Sequence, residues 1–118
     1  MILGCGTEPE TKPTQFVILI DSIAHVPSLI VGDTIAIKLF GTIGNDGCHL
    51  FSHFEDSRQA LRLDLTVWGQ RSPSGVCPDV MVYLNGREYK LATTQTGWFS
   101  INIHQPDGTV LRDSILVQ

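Results

Sequence analysis

The chain has 118 residues, is 42% hydrophobic and carries a formal net charge of −4, a size and composition typical of one globular domain with its own core. The charges are spread along the chain without a basic block, so the positive surface that nucleic-acid binding requires is lacking. No apolar run approaches the roughly 20 residues of a membrane-spanning helix.

The first residues have the order of a bacterial lipobox. Ile2, Leu3 and Gly4 precede Cys5, and in such a motif the cysteine is lipidated and becomes the mature N-terminus. Four residues cannot supply the charged and apolar regions of a signal peptide, so we expect Met1 not to be the native start. The alternative interpretation is a free cysteine on a disordered tail.

The segment after Cys5 is predicted to be a tether. Residues 6–14 are poor in apolar side chains and contain Pro9 and Pro13, a composition that cannot bury surface and stays extended. We therefore divide the chain into a lipobox remnant and flexible tether, residues 1–14, and one folded domain, residues 15–118. A lipid on Cys5 would hold that domain at a membrane surface without a transmembrane helix.

Apolar residues recur with a period of two from Gln15 onward, which is typical of strands with one buried face. In the clearest run, residues 61–68, leucine and valine alternate with polar side chains and a tryptophan. The number and spacing of such runs predict an all-β, antiparallel sandwich. Seven strands are predicted, with a possible short one at 49–54: residues 15–21, 33–42, 60–69, 78–84, 87–92, 97–104 and 109–117.

Turn-forming residues separate these runs. Asn85-Gly86 predicts a two-residue hairpin between the strands at 78–84 and 87–92, because both residues tolerate the positive φ of a type I′ turn. Pro106-Asp107-Gly108 predicts a second hairpin between the last two strands.

The cysteines divide into two plus one. Cys48 and Cys77 both lie in loop-like surroundings, whereas Cys5 is far from either. We predict a Cys48–Cys77 disulfide, whose loop of about 30 residues would stabilise the fold by roughly 3.5 kcal/mol in an oxidising compartment. The alternative is a metal site formed with His49 and His53, although no C-x-x-C accompanies them.

Three aromatic residues suggest recognition. Trp68, Tyr83 and Trp98 fall on the parity opposite to the apolar positions of their strands, so we expect them to face outward, where such rings stack on sugars or anchor a protein partner. In the alternative interpretation, Trp68 and Trp98 cap the core near strand ends.

No catalytic motif is present. The chain lacks G-x-S-x-G, H-E-x-x-H and a phosphate-binding glycine loop. Ser52 and His53 are adjacent strand residues that we expect to point apart. His25 and His104 receive no role. We predict a protein that is not an enzyme and needs no cofactor.

Several segments together resemble small, uncharacterised bacterial lipoproteins with an immunoglobulin- or fibronectin-III-like sandwich. The segments that carry the resemblance are Ile2–Cys5, residues 41–54, the stretch from Cys77 to Val82 and the closing 105–109. The resemblance implies an immunoglobulin-like fold and a location in the cell envelope, periplasmic or surface-exposed. Cys48 and Cys77 are too close in sequence for the usual inter-sheet bridge, so we expect their disulfide to join loops.

The predicted function is that of a lipid-anchored envelope domain, a non-catalytic binding or interaction module with a protein or glycan partner. It touches the membrane only through Cys5. One alternative is a carbohydrate-binding module that uses Trp68, Tyr83 and Trp98. Another is a structural part of a surface assembly, indicated by an unpaired edge strand or an exposed apolar patch.

Overall fold

A computed structural model describes residues 13–73 and 75–118. Cys5 and the predicted tether as far as residue 12 lie outside that range, so their predictions stay predictions. Within it the protein is all-β, as predicted, and contains no helix that could cross a membrane. Nine strands occupy the described residues: β1 Thr14–Val17, β2 Leu19–Ala24, β3 Ser28–Leu29, β4 Thr34–Gly44, β5 His49–Gln59, β6 Arg62–Arg71, β7 Val82–Ala92, β8 Gly97–His104 and β9 Val110–Val117.

The larger sheet has six strands and is mixed. β5 pairs antiparallel with one edge of β6. The other edge of β6 carries β8 along its first half and β1 at its end, and β9 and β3 follow β8. β6 pairs with β8 in parallel, and so does β3 with β9. The prediction of a wholly antiparallel sandwich is therefore wrong here, because the strand between β6 and β8 in sequence belongs to the other sheet.

The smaller sheet is antiparallel, with the order β2–β4–β7. The hairpin predicted at Asn85-Gly86 is wrong, since β7 runs straight through these residues. Phe40 pairs with Asn85 and Leu39 with Arg87, so Gly86 is the extra residue of a β-bulge, at φ 84°. A bulge of this kind favours glycine with positive φ, as a type I′ turn does.

The segment after Cys48 is the other large departure. The predicted short strand at 49–54 is the 11-residue β5, which ends at Gln59. A bulge at Ser52, between Phe51 and His53, shifts its register against β6. β7 in turn begins at Val82, later than the predicted residue 78. The predicted count of seven strands is too low, although the predicted strands at 78–84 and 87–92 form the single β7. The predicted strand at 15–21 is divided between β1 and β2, β5 is a full strand, and β3 was not predicted.

The core lies between the two sheets and follows the predicted alternation. Leu63, Leu65 and Val67 of β6 are fully buried, as are Ile101 and Ile103 of β8. At roughly 25 cal/mol per Å² of buried apolar surface, this layer is the main source of stability. The other side chains exposed by 2% or less are Ile18, Ile20, Ile35, Ile37, Leu39, Phe99, Ile115 and Val117.

Side chains of β5 and β7 close one lateral edge of the sandwich. The Tyr89 hydroxyl donates a hydrogen bond to Asp56 and accepts one from Arg58 Nε at 2.7 Å. Phe54 packs edge-on against the Tyr89 ring, with centroids 5.2 Å apart. Burial and the Asp56 hydrogen bond raise the pKa of Tyr89 to about 12. This network joins the two sheets where each ends in a long strand.

Candidate functional site

The predicted disulfide between Cys48 and Cys77 is confirmed, with Cα atoms 5.3 Å apart. Beside it, Gly47 N donates to Pro78 O at 2.7 Å, which fastens the 75–81 loop to the start of β5. The two sulfurs are joined to one another, so neither is available as a thiolate ligand for the alternative metal site. The two histidines of that alternative have separate partners. His49 hydrogen-bonds to Asp46 through Nδ1 at 2.8 Å, and His53 lies elsewhere on the sheet.

One end of the sandwich, which we call the disulfide end, gathers the end of β6 and the starts of β5 and β7. Arg71 pairs with Thr14 on one side and His49 on the other, so the chain enters the domain here. Gly44 pairs with Val82 at the same level. The disulfide end presents exposed apolar side chains: Leu50 51%, Val76 87%, Val80 54%, Met81 49% and Tyr83 59%.

A groove lies on the outer face of the larger sheet around Trp68, which is half-buried. The His53 ring is parallel to the Trp68 ring within 7°, with centroids 6.1 Å apart. Trp68 Nε1 donates to Glu55 Oε1 at 2.8 Å, which fixes the ring. Gln15, Ser52 and these side chains line a volume of about 640 Å³, which we call the Trp68 groove. An aromatic plane beside hydrogen-bonding groups suits a ligand with apolar and polar faces.

The bulge in β5 overturns the expectation that Ser52 and His53 point apart. Ser52 Oγ and His53 Nδ1 are 2.8 Å apart and hydrogen-bonded. An extra residue in a strand breaks the strict alternation of sides, so neighbouring side chains can meet. The pair lies at the surface beside Trp68.

An ionic cluster continues from the Trp68 groove along the same face. Arg62 donates to both carboxylate oxygens of Asp64, at 2.7 and 3.0 Å, and His104 Nε2 lies 2.9 Å from Asp64 Oδ1. The hydrogen bonds from Arg62 and then His104 lower the pKa of Asp64 to about 2. Asp64 and His104 line a smaller hollow of about 230 Å³ that shares Glu55 with the Trp68 groove. His104, which had no predicted role, thus has a partner.

Trp98 lies at the opposite end of the sandwich, which we call the far end. Its ring is 64% exposed, and it pairs across β8 and β9 with Leu116, whose neighbour on β3 is Ser28. Ile30, two residues further along that edge, is 58% exposed, and Val31 beside it donates to Gln118 O. Trp98, Ile30 and Val31 form an apolar surface that we call the Trp98 patch.

Tyr83 occupies a third location. It lies on β7 of the smaller sheet and lines a groove of about 720 Å³ with Leu50, Phe51 and Arg87. The Arg87 guanidinium lies 3.9 Å from the centre of the Phe51 ring. The structure therefore does not bring the three predicted aromatic residues together.

Several of these side chains were absent from the sequence prediction. Glu55 lies in β5, whose sequence has no clean alternation of apolar and polar residues, so its place on a sheet face was not predicted. The contact between Asp64 and His104 depends on parallel pairing of strands whose paired residues are 38 apart in sequence. Ile30 and Val31 form a short apolar run with Leu29, and this run did not indicate that they face outward. The polar alternation of residues 62–66 was the one available clue to the ionic cluster.

Comparison with known proteins adds no relative. No protein family, no curated protein and no solved structure matches this chain.

Proposed function

We propose that this protein is an exported, lipid-anchored binding domain of a bacterial envelope and that it is not a catalyst. The observation that carries the proposal is the Cys48–Cys77 disulfide. Disulfides persist in oxidising compartments and are rare in the cytosol, so the bridge favours export. The lipobox order ahead of Cys5 supplies the means of attachment.

The fold supports an arrangement with attachment at one end and recognition at the other. The chain enters β1 at the disulfide end, whereas the Trp98 patch lies at the far end. β6 joins the two ends with ten residues, a span of about 33 Å. A domain attached through Cys5 would thus hold the Trp98 patch away from the bilayer.

The Trp98 patch is the proposed surface for a protein partner. An exposed tryptophan flanked by aliphatic side chains is typical of the energetic centre of an interface. Trp98 also sits on a paired strand, so its backbone has little conformational freedom left to lose on binding. Ser52 and His53 alone do not make a hydrolytic site, because hydrolysis also requires hydrogen-bond donors arranged in advance around the developing oxyanion.

Intact mass spectrometry of the protein from a bacterial host, made with its full upstream signal, tests attachment and export together. We expect a mature N-terminus at Cys5 carrying acyl chains, with Cys48 and Cys77 alkylated only after reduction. The Cys5→Ala variant is the control and should carry no acyl mass. An unmodified Cys5 with three free thiols would contradict the proposal.

The Trp98 patch is tested in cells by a photo-crosslinking side chain at position 98. We expect a discrete adduct with one protein from position 98 and no protein adduct from position 83, a similarly exposed aromatic site on the other sheet. Adducts of equal yield at both positions would show that Trp98 is not a specific contact.

A second candidate function is saccharide binding, which the Trp68 groove favours. The half-buried Trp68 ring, stacked with the His53 ring, offers an aromatic surface, while the oxygens of Glu55 and Ser52 can accept hydrogen bonds from hydroxyl groups. This candidate uses Trp68 with His53, Glu55 and Ser52. It does not use the predicted combination of Trp68, Tyr83 and Trp98. The ionic cluster at Asp64 extends the polar surface along the sheet.

Calorimetric titration with maltohexaose, cellohexaose and chitohexaose tests saccharide binding. Trp68→Ala should weaken binding at least about tenfold, equivalent to about 1.4 kcal/mol. Trp98→Ala is the matched control, and it should leave the affinity unchanged. Equal losses in both variants, or no binding of any of the three sugars, would remove this candidate.

We also propose that the sandwich is a variant of the immunoglobulin-like architecture. The antiparallel order β2–β4–β7, the β8–β9 pair and the parallel contact of β3 with β9 support this interpretation. The parallel β6–β8 pair departs from it, because the corresponding immunoglobulin sheet is antiparallel. Inter-strand NOEs between residues 63 and 101 and between residues 65 and 103 would together test that departure, because an antiparallel pair would bring residue 65 to residue 99 instead.

A further inference from the structure

We infer that the disulfide end is a membrane-contacting surface, on which the loop 75–81 and the adjoining strand starts rest against the lipid bilayer that holds the anchor. The inference rests on the proposed attachment through Cys5 and adds a second, non-covalent contact to it. The occupant is a lipid surface, chosen because of where the chain enters the domain.

The first step is the concentration of exposed apolar side chains at this end. Five large hydrophobic residues are between 49% and 87% exposed there, as given above. Apolar surface gathered in this way marks an interaction site, whereas scattered single residues do not. Segment 75–83 contains one charged residue, Asp79. Arg71 and Asp46 also lie at this end, where they form an ion pair with Nη2 and Oδ2 3.6 Å apart. A segment with one charge beside an already paired cation and carboxylate can enter the interfacial region of a bilayer at low desolvation cost.

The second step is the rigidity of the loop. Cys77 is covalently joined to Cys48 at the start of β5, and Pro78 O accepts hydrogen bonds from Gly47 N and Val80 N at 2.7 and 3.0 Å. The apolar side chains of Val80 and Met81 are therefore held out on a fixed support. A constrained loop loses little entropy on meeting a second surface.

The third step is the reach of the chain ahead of the domain. Thr14 lies nine positions after Cys5 in sequence, which is at most about 32 Å of extended chain. Thr14 pairs with Arg71 at the disulfide end. Any lipid on Cys5 thus keeps the bilayer near this end, and the effective concentration of lipid at the loop is high.

Hydrogen exchange of the full, lipidated chain tests the inference on vesicles of phosphatidylethanolamine and phosphatidylglycerol. Amides of residues 75–83 should exchange at least about fivefold more slowly on vesicles than in the unlipidated Cys5→Ser variant in solution. Residues 92–98 at the far end serve as the internal control and should exchange equally in both. Phosphatidylcholine vesicles should give the same protection, because the contact is apolar.

A lipidated Val80→Ser/Met81→Ser variant is the matched control. It should remain on the vesicles, held by Cys5, and lose the protection of residues 75–83. Equal exchange of the unmodified loop on vesicles and in solution, with acylation of Cys5 established by mass, would overturn the membrane contact alone. Absence of acylation would overturn both the contact and the proposed anchor. Protection that rises with protein concentration in solution would assign the surface to a second copy of the chain instead, which also overturns the inference.

Discussion

Removal of the Cys48–Cys77 disulfide should destabilise the domain by about 3.6 kcal/mol. The two cysteines are 29 residues apart, and for a loop of about 30 residues the chain-entropy treatment gives an entropy near 12 cal/mol/K, which corresponds to that free energy at 25 °C. The structure supports a large effect, because Cys48 immediately precedes β5, an edge strand that pairs only with β6 among the described residues. Opening the bridge releases both the loop and the start of this strand.

The shift should be measured as a change in thermal midpoint by circular dichroism. For a domain of this size, 1 kcal/mol corresponds to about 4 °C, so the reduced protein should unfold about 15 °C lower. The Cys48→Ala/Cys77→Ala variant should match the reduced protein and should not respond to reductant. This variant separates the bridge from side effects of the reducing agent.

A decrease of less than about 3 °C on full reduction would refute the reasoning. It would mean that the strands hold the 48–77 segment in place without the bridge, or that the unfolded chain is already restricted. Agreement between the reduced protein and the alanine variant would show that the small shift is genuine.

Three further predictions concern stability. Tyr89→Phe should lower the free energy of unfolding by about 1–3 kcal/mol in urea titration, because Asp56 loses the hydrogen bond that the Tyr89 hydroxyl donates. An unchanged midpoint would contradict a role for this network in joining the sheets. The pKa of Asp64 is about 2 in the folded protein and 3.8 ordinarily, so its ionised form adds stability that is present above pH 4 and lost as the pH falls toward 2. The free energy of unfolding, measured across that range, should depend less on pH in Asp64→Asn than in the unmodified protein. Identical pH profiles of the two proteins would disprove this. Gly86→Ala should cost about 1–2 kcal/mol in the same titration, because φ is 84° at the bulge; Gly75→Ala, in a loop, is the comparison and should cost less.

The sequence predicted the buried layer better than its connections. The alternation in residues 61–68 marks the residues that the structure buries at Leu63, Leu65 and Val67. Alternation reports which side of a strand faces the core, and hydrophobic burial enforces it. It carries no information on which strand lies alongside, so the parallel β6–β8 pair was not foreseen.

The candidate sites were predicted less well, for two local reasons. Asn85-Gly86 suits both a turn and a bulge, and the choice depends on whether residues 87–91 pair with β4, a distant contact. In β5 the bulge at Ser52 breaks the alternation of apolar and polar residues. The sequence pattern therefore did not indicate that His53 and Glu55 lie on one long strand. The predicted outward direction of Trp98 and Tyr83 agrees with their exposure, but their separation on two sheets could not be read from parity.

The short strand β1 also has a mechanical consequence. A load applied to the chain ahead of residue 13 reaches β1 first, and β1 lies antiparallel along the edge of β6. Pulled along the strand direction, its hydrogen bonds carry force together in shear rather than opening one by one. Beyond β1 the backbone N–H of Ile20 donates to Gln105 Oε1 at 2.9 Å, and Gln105 Nε2 donates to Ile20 O at 2.8 Å. These two hydrogen bonds hold the chain where it crosses to the other sheet. Both layers of the sandwich therefore help the N-terminal segment to resist an applied tension.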